Sequence, residues 1–208
     1  MTDIAAVAVG AQPERVRAAA ADRVGEIVVA GSLGDIRDAA LRAEASSLWL
    51  LDSRATPSEG ALDTLVDRAD QPAVSLPVDD RDAPLEWLVG RFAESDLARL
   101  VDAVNDRRVP LRHTYVISLL IPRELVIEHA PPDPGRFGRY AGSEWTARVF
   151  ASTPGMLVPE SRVRIGRLAP GSPRHAMRMA RTGVWGRGEA LRELHRSVLA
   201  GSSVAALR

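Results

Sequence analysis

The sequence predicts an α/β fold, a mainly parallel central sheet flanked by helices, with a C-terminal helical appendage. Three observations predict it. Short runs rich in Val, Ala, Ile and Leu begin at Ile4, Glu26 and Ser47, and each reads as a buried strand. Each is followed by a turn bearing Gly or Pro and then by a stretch with helical spacing, the alternation that favours parallel strands joined by right-handed crossovers. Finally, 208 residues at 46% hydrophobic content suffice for one sizeable core and leave a second full domain cramped.

Ile4 to Val9 is the first strand. Gly10 to Pro13 break it, Pro13 suits a first helical turn, and Glu14 to Val24 reads as a helix with its acid in front. Glu26 to Ala30 is the second strand. After the Gly31 to Gly34 turn, Asp35 is placed to cap a helix to about Glu44. Ser47 to Leu51 is the third strand, ending at Asp52. Ser58 is then placed to cap a helix to about Ala69, with Leu62, Leu65 and Val66 on one face. In such sheets ligands sit outside the carboxyl ends of the strands, which puts Gly10, Ala30, Gly31 and Asp52 beside one crevice.

Ala73 to Val78 is a further strand, and Asp79 to Pro84 an acidic, solvated turn. Leu85 to Val104 carries a helical stripe of Leu97, Leu100, Val101 and Val104. Thr114 to Ile121 is the most strand-like segment of the chain. A short helix from Pro122 to His129, a rigid loop from Pro131 to Gly138, a helix from Glu144 to Phe150 and a short strand from Met156 to Val158 follow. Arg174 to Leu199 reads as one helix, or as two divided at Gly183 to Gly188. These boundaries divide the chain into residues 1–165 and a basic helical appendage, 166–208, packed on it.

Composition narrows the function classes. Basic and acidic residues number 27 each, so the net charge is zero and no nucleic-acid partner is expected. Every basic residue is Arg, as a GC-rich coding sequence would produce. The absence of Cys excludes disulfides, thiolate nucleophiles and Cys-ligated zinc. The N-terminus has an acid near Met1 and only a short apolar run, unlike a signal peptide, and no apolar run approaches a bilayer span. A cytoplasmic chain, soluble or membrane-peripheral, is expected. The four histidines are scattered and do not suggest a metal site, and Trp49, Trp87 and Trp145 lie in apolar patterns that suit a core.

Four segments, in order, resemble the family 2 glycosyltransferases that act on bacterial cell-surface glycans. They are AVAVGAQPERV from Ala6, LWLLDSRATPSEGALDTL from Leu48, VISLLIPRELVIEHAPPDPGRF from Val116 and AGSEWTARVFASTPGMLVPE from Ala141. The resemblance implies a GT-A fold and a site for a nucleotide diphosphosugar. Such enzymes neutralise the leaving diphosphate with a divalent cation held by paired carboxylates, and activate the attacking hydroxyl with a carboxylate base.

Carried over residue by residue, the resemblance implies a degenerate site. The cation-holding pair falls on Asp52 and Arg54, and a guanidinium repels a cation and pairs with its neighbour instead. Manganese or magnesium is therefore disfavoured, and no cofactor is expected. The acid that would grip the nucleoside falls on Ala30, leaving Asp35 nearby. The catalytic base falls on Ala141 or Gly142, leaving Glu144, which also suits an ion pair with Arg148. The candidate residues are Glu144 and Asp52 for catalysis, and Gly10, Gly31, Asp35, Asp52 and Arg54 for the nucleotide sugar.

Three readings compete. One is a non-catalytic glycosyltransferase-like protein that binds a nucleotide sugar or partners an active transferase. The second is a metal-independent transferase with Arg54 on the diphosphate and Glu144 or Asp52 as carboxylate. The third is a peripheral binder of lipid phosphate, through the arginine-rich stretch from Arg162 to Arg187 with Trp185 at the interface. Exposed apolar residues between Val198 and Leu207 suit a protein partner or a homodimer.

Overall fold

The computed structural model of the chain describes residues 3–10, 13–20, 23–67, 71–85, 88–91, 109–166 and 171–205. Among these, nine strands form one sheet in the order β2-β1-β3-β8-β5-β9-β7-β6, with β4 paired to β9. The strands are β1 (Ile4–Val9), β2 (Glu26–Ala30), β3 (Ser47–Asp52), β4 (Ala55–Pro57), β5 (Ala73–Val78), β6 (Val89–Arg91), β7 (Val109–Thr114), β8 (Ser118–Pro122) and β9 (Gly155–Ile165). The helices are α1 (Pro13–Ala20), α2 (Ile36–Arg42), α3 (Ala61–Val66), α4 (Arg123–Glu128), α5 (Pro134–Phe137), α6 (Ala141–Ser152), α7 (Pro173–Ala180) and α8 (Arg187–Ala205).

The α/β class and the helix-flanked central sheet are as the sequence predicts. β1 runs parallel to both β2 and β3, and β5 runs parallel to β9. Antiparallel pairing enters with β4, β6, β7 and β8. β1 is buried at every residue because the sheet is covered on both faces. Ala5, Val7 and Val9 enter the core beneath α2 and α6, while Ile4, Ala6 and Ala8 enter the core beneath α1, α3 and α7.

Several local expectations are corrected. Ser58 does not cap α3: its hydroxyl donates to Arg162 O at 3.0 Å, and the helix starts after Gly60, whose φ is +71°. Asp35 occupies the N-cap of α2 without a side-chain cap bond. Instead Ser32 Oγ donates to Asp35 Oδ2 at 2.8 Å and accepts from Gly34 N, in the 3₁₀ turn Leu33–Asp35. Residues 89–91, read as helical, form β6; Trp87 and the stripe Leu97, Leu100, Val101 and Val104 lie outside the described residues. The loop from Pro131 to Gly138 contains α5, capped by Asp133 on Arg136 N, and leads into a 3₁₀ turn, Gly138–Tyr140.

Two departures matter more. Thr114 to Ile121 is not one strand. β7 pairs with β6 and β9, whereas β8 pairs with β3 and β5, so residues 115–117 must carry the chain across the sheet. Nor does β9 end before Pro159. Ser75 faces Val158 and Leu76 faces Arg162, so residues 159–161 bulge out of the β5–β9 ladder and the strand then resumes. A proline has no N–H for a ladder, and a bulge is where a strand accommodates one.

The bulge turns Ser161 inward and completes a buried chain of donors. Trp49 Nε1 donates to Ser118 Oγ at 3.0 Å, and the Oγ atoms of Ser118 and Ser75 lie 2.7 Å apart. Ser75 and Ser161 are 2.8 Å apart, and Ser161 donates to Ala61 O at 2.8 Å. Because Trp49 can only donate and Ala61 O only accept, every hydroxyl passes its proton the same way, from β3 through β8, β5 and β9 to α3. At the C-terminal end, Trp185 packs edge-on against Tyr140 with ring centroids 4.8 Å apart, and Ala176 and Met179 are fully buried. These contacts fix α7 and α8 onto the same core as α1 and α3. Ser75→Ala breaks the donor chain at its middle, leaving the Ser118 proton without an acceptor. It is expected to lower the unfolding free energy by about 1–3 kcal/mol in urea titrations.

Candidate functional site

The site begins where β1, β2 and β3 end side by side. Gly10 N donates to Ala30 O at 2.9 Å, and Ser53 N donates to Val9 O at 2.9 Å. Gly10 has φ +117°, and a Cβ there would lie 2.6 Å from Ser53 Oγ, so only glycine lets the two strand ends close together. Asp52 closes β3 at this point, with its own N bonded to Ile117 O.

Asp52 is bound by Arg54 from three directions. Oδ1 accepts from Arg54 N and Arg54 Nε, both at 2.9 Å, and Oδ2 accepts from Arg54 Nη2 at 2.6 Å. The fork is the strong bidentate arrangement of guanidinium on carboxylate. These bonds push the Arg54 pKa above its usual value. The guanidinium is the more open partner, 62% exposed against 14% for Asp52. A divalent cation arriving here would meet one carboxylate whose two oxygens already accept from a fixed positive charge. That donor set does not suit it.

A cavity of about 350 Å³ opens above this pair. Leu33, Tyr115, Val116, Ile117, Arg139 and His175 contribute to its wall together with Asp52 and Arg54. Tyr115 to Ile117 is the crossover that splits the predicted strand. Arg139 sits in the 3₁₀ turn before α6, its guanidinium 5.4 Å from the Tyr115 ring and 5.6 Å from the Tyr140 ring. Burial raises the Tyr115 pKa well above 10.0, so its phenol stays neutral. His175 comes from the first turn of α7, whose N-cap Ser172 also lines the cavity. Neither Arg139 nor His175 is singled out by local pattern, because the folded chain brings them to Asp52 from far along the sequence. Among the described lining residues, Asp52 is the one carboxylate.

The other predicted residues disperse. Gly31 and Asp35 are exposed on the turn after β2, where Asp35 is engaged by Ser32, and only Leu33 of that turn reaches the cavity. Ala30 is 1% exposed, with its methyl in the core. Glu144 does not line the cavity. Its oxygens accept from Arg148 Nε at 2.9 Å and Nη2 at 3.2 Å, and Arg148 also donates to Ala130 O. Ala141 is fully buried. A Cβ on Gly142 would stand 3.1 Å from Val116 N and 3.2 Å from Val116 Cγ2, so a longer side chain at the start of α6 requires the crossover to give way.

The remaining sequence features resolve as follows. Asp79 accepts from Arg81 N at 2.8 Å and Ala83 N at 2.9 Å, which holds its pKa below the usual carboxylate value, and Asp82 pairs with Arg162 at 2.6 Å. No group of three His, Asp or Glu residues suited to a metal ion occurs among the described residues. The third reading places Trp185 at a membrane interface, but it is 5% exposed and packed on Tyr140, which leaves it unavailable for that role. Arg178 donates to Arg136 O, and Arg167 lies outside the described residues. No described helix is long and apolar enough to cross a membrane. Val198 and Leu199 are about half exposed on α8.

With this geometry, the chain has the GT-A-like fold of two solved glycosyltransferases. It is similar to GalNAc-T7, solved with UDP, GalNAc and Mn2+, at a TM-score of 0.56 and 12% identity over 86% of this chain and 48% of that one. The chain thus spans about half the length of that protein. It is also similar to S. aureus TarS 1-349, at a TM-score of 0.51 and 8% identity over 98% of this chain and 72% of that one. No protein-family model matches the chain, and no curated protein matches its sequence.

The packing at the start of α6 is testable. Gly142→Asp would press a charged side chain against Val116, and a loss of about 2–4 kcal/mol in chemical denaturation is expected. An unchanged midpoint would show that this turn has room for an acid.

Proposed function

We propose that the chain is a glycosyltransferase-like protein that binds a nucleotide diphosphosugar, or the diphosphate part of one, without metal-assisted transfer. It would serve as a binding module or as the partner of an active transferase in cell-surface glycan assembly. The observation that carries this reading is the fork of Arg54 on Asp52 at the end of β3. A guanidinium has five N–H donors, and Asp52 takes two of them through the side chain. The rest are free to meet phosphate oxygens in the cavity, where Arg54 would supply the charge that a cation supplies elsewhere. Arg139 and His175 line the same cavity and add donors on its other walls.

Catalysis asks for a carboxylate within hydrogen-bond reach of the acceptor hydroxyl. Asp52 is committed to Arg54, and Glu144 to Arg148 outside the cavity lining. That favours binding without turnover. The guanidinium groups of Arg54 and Arg139, with the His175 imidazole on the same cavity, support the second reading, a metal-independent transferase, in which Asp52 would have to be released by Arg54 when the diphosphate arrives. A peripheral membrane role draws less support, since Trp185 is buried.

Calorimetric titration with UDP and other nucleoside diphosphates, with manganese and with a chelator, tests the proposal. Equal affinities in the two conditions are expected, and Arg54→Ala should weaken binding about tenfold, or about 1.4 kcal/mol. Affinity that requires manganese would overturn the metal-free reading. Sugar release or transfer from the corresponding nucleotide sugars would overturn the non-catalytic one.

A further inference from the structure

Arg54 belongs to the wall of a second cavity, of about 330 Å³, lined by Arg15, Arg54, Thr56, Asp80, Arg164, Ile165 and Gly166. Strand register assembles it. Arg54 and Thr56 are both exposed while Ser53 and Ala55 are buried, so Arg54, just before β4, lies on the same outer side as Thr56 within it. Thr56 stands opposite Arg164 in the β4–β9 ladder, and Arg164 also stands opposite Val78, two residues before Asp80. Arg15 enters from the first turn of α1, where the helix dipole adds to its charge.

The charge in this cavity is not balanced. Among the described lining residues three arginines accompany one carboxylate, Asp80; Arg54 is already paired with Asp52, so Arg15 and Arg164 are the arginines set against Asp80. Arg162, two residues before Arg164 on the same strand face, is neutralised by Asp82. Arg15 and Arg164 have no ion pair with any described residue, and both are exposed. Surface arginines normally gain little from pairing, but three converging on one concavity create a local field that selects oxyanions.

We propose that this second cavity is an anion subsite for a phosphate monoester or diester, held by Arg15, Arg54 and Arg164. It goes beyond the nucleotide site of the first cavity and shares only Arg54 with it. Thr56 is placed to donate its hydroxyl to the same anion, and Asp80 limits how much negative charge the site accepts. A ligand with two separated phosphate groups would span both cavities across Arg54.

The test is titration with inorganic phosphate, pyrophosphate and UDP on the full chain and on two surface variants, the double substitution Arg15→Ala with Arg164→Ala, and Asp80→Asn. All these positions are exposed, and melting curves should coincide with the parent. The double variant is expected to lose at least tenfold in phosphate and pyrophosphate affinity, and Asp80→Asn to gain severalfold. Both effects should shrink as salt rises. Sedimentation with phosphatidylglycerol vesicles, against soluble glycerol phosphate, identifies the source of the phosphate: arginine-dependent binding to either supports the subsite. Phosphate affinity indifferent to Arg15 and Arg164, or absent in the parent, overturns it. UDP affinity is expected to survive the double variant. Loss of UDP binding in the parent, with arginine-dependent phosphate binding retained, would defeat the nucleotide reading and leave this one standing.

Discussion

Asp52 accepts three hydrogen bonds from Arg54, one from its amide and two from its guanidinium, and the character of the whole cleft follows from them. In a cleft built to hold a divalent cation, the end of β3 would present unpaired carboxylate oxygens. Here it presents fixed positive charge. That charge is attached to the chain and oriented by Asp52, so an anion pays no cost of recruiting a cation, but the same contact occupies the one carboxylate among the described residues of the first cavity. In the function proposed above, such a site would hold a phosphate rather than activate a hydroxyl.

The pair is held in place by the interior of the sheet. Asp52 is the last residue of β3, whose neighbours β1 and β8 are buried on both faces. Below it, the donor chain from Trp49 through Ser118, Ser75 and Ser161 ties four strands to α3 without an unpaired hydroxyl. Satisfied buried polar chains of this kind resist rearrangement, because breaking one member strands another. Above it, Gly10 allows the end of β1 to approach Ser53, and the 115–117 crossover closes the opposite wall. The rigid floor and the crossover together set where Arg54 points.

Arg54 also joins two concavities that differ in lining. The first combines Arg139 and His175 with the phenol of Tyr115 and the aliphatic side chains of Leu33, Val116 and Ile117, a mixture suited to a ligand with both polar and apolar parts. The second is dominated by Arg15, Arg54 and Arg164. The C-terminal helices contribute to the first through His175 and stay fixed to the core through Trp185 and Tyr140. They are therefore part of the site's wall.

The resemblance to known transferases and the strand–helix alternation make the fold class legible in the sequence, because continuously apolar runs such as Ile4–Val9 must be buried on both faces wherever they pair. The pairing of Arg54 with Asp52 was equally legible, since it depends only on a neighbour two residues away. Other features were not. Within Thr114 to Ile121, Thr114 ends β7, residues 115–117 cross the sheet and Ser118 begins β8, a division that depends on the partners each strand finds rather than on local propensity. Pro159 reads as a strand end, and only pairing with β5 shows that the strand resumes beyond a bulge. Glu144, plausible as a base by position, is turned toward Arg148 by the helix it sits on. Arg139, His175 and the second arginine cluster were invisible because their members come from distant segments. Sequence by itself determined the apolar periodicity and the local charge pairs, which act over a few residues. Tertiary structure alone decided which strand ends and loops converge, because those contacts are set by packing between elements far apart in the chain.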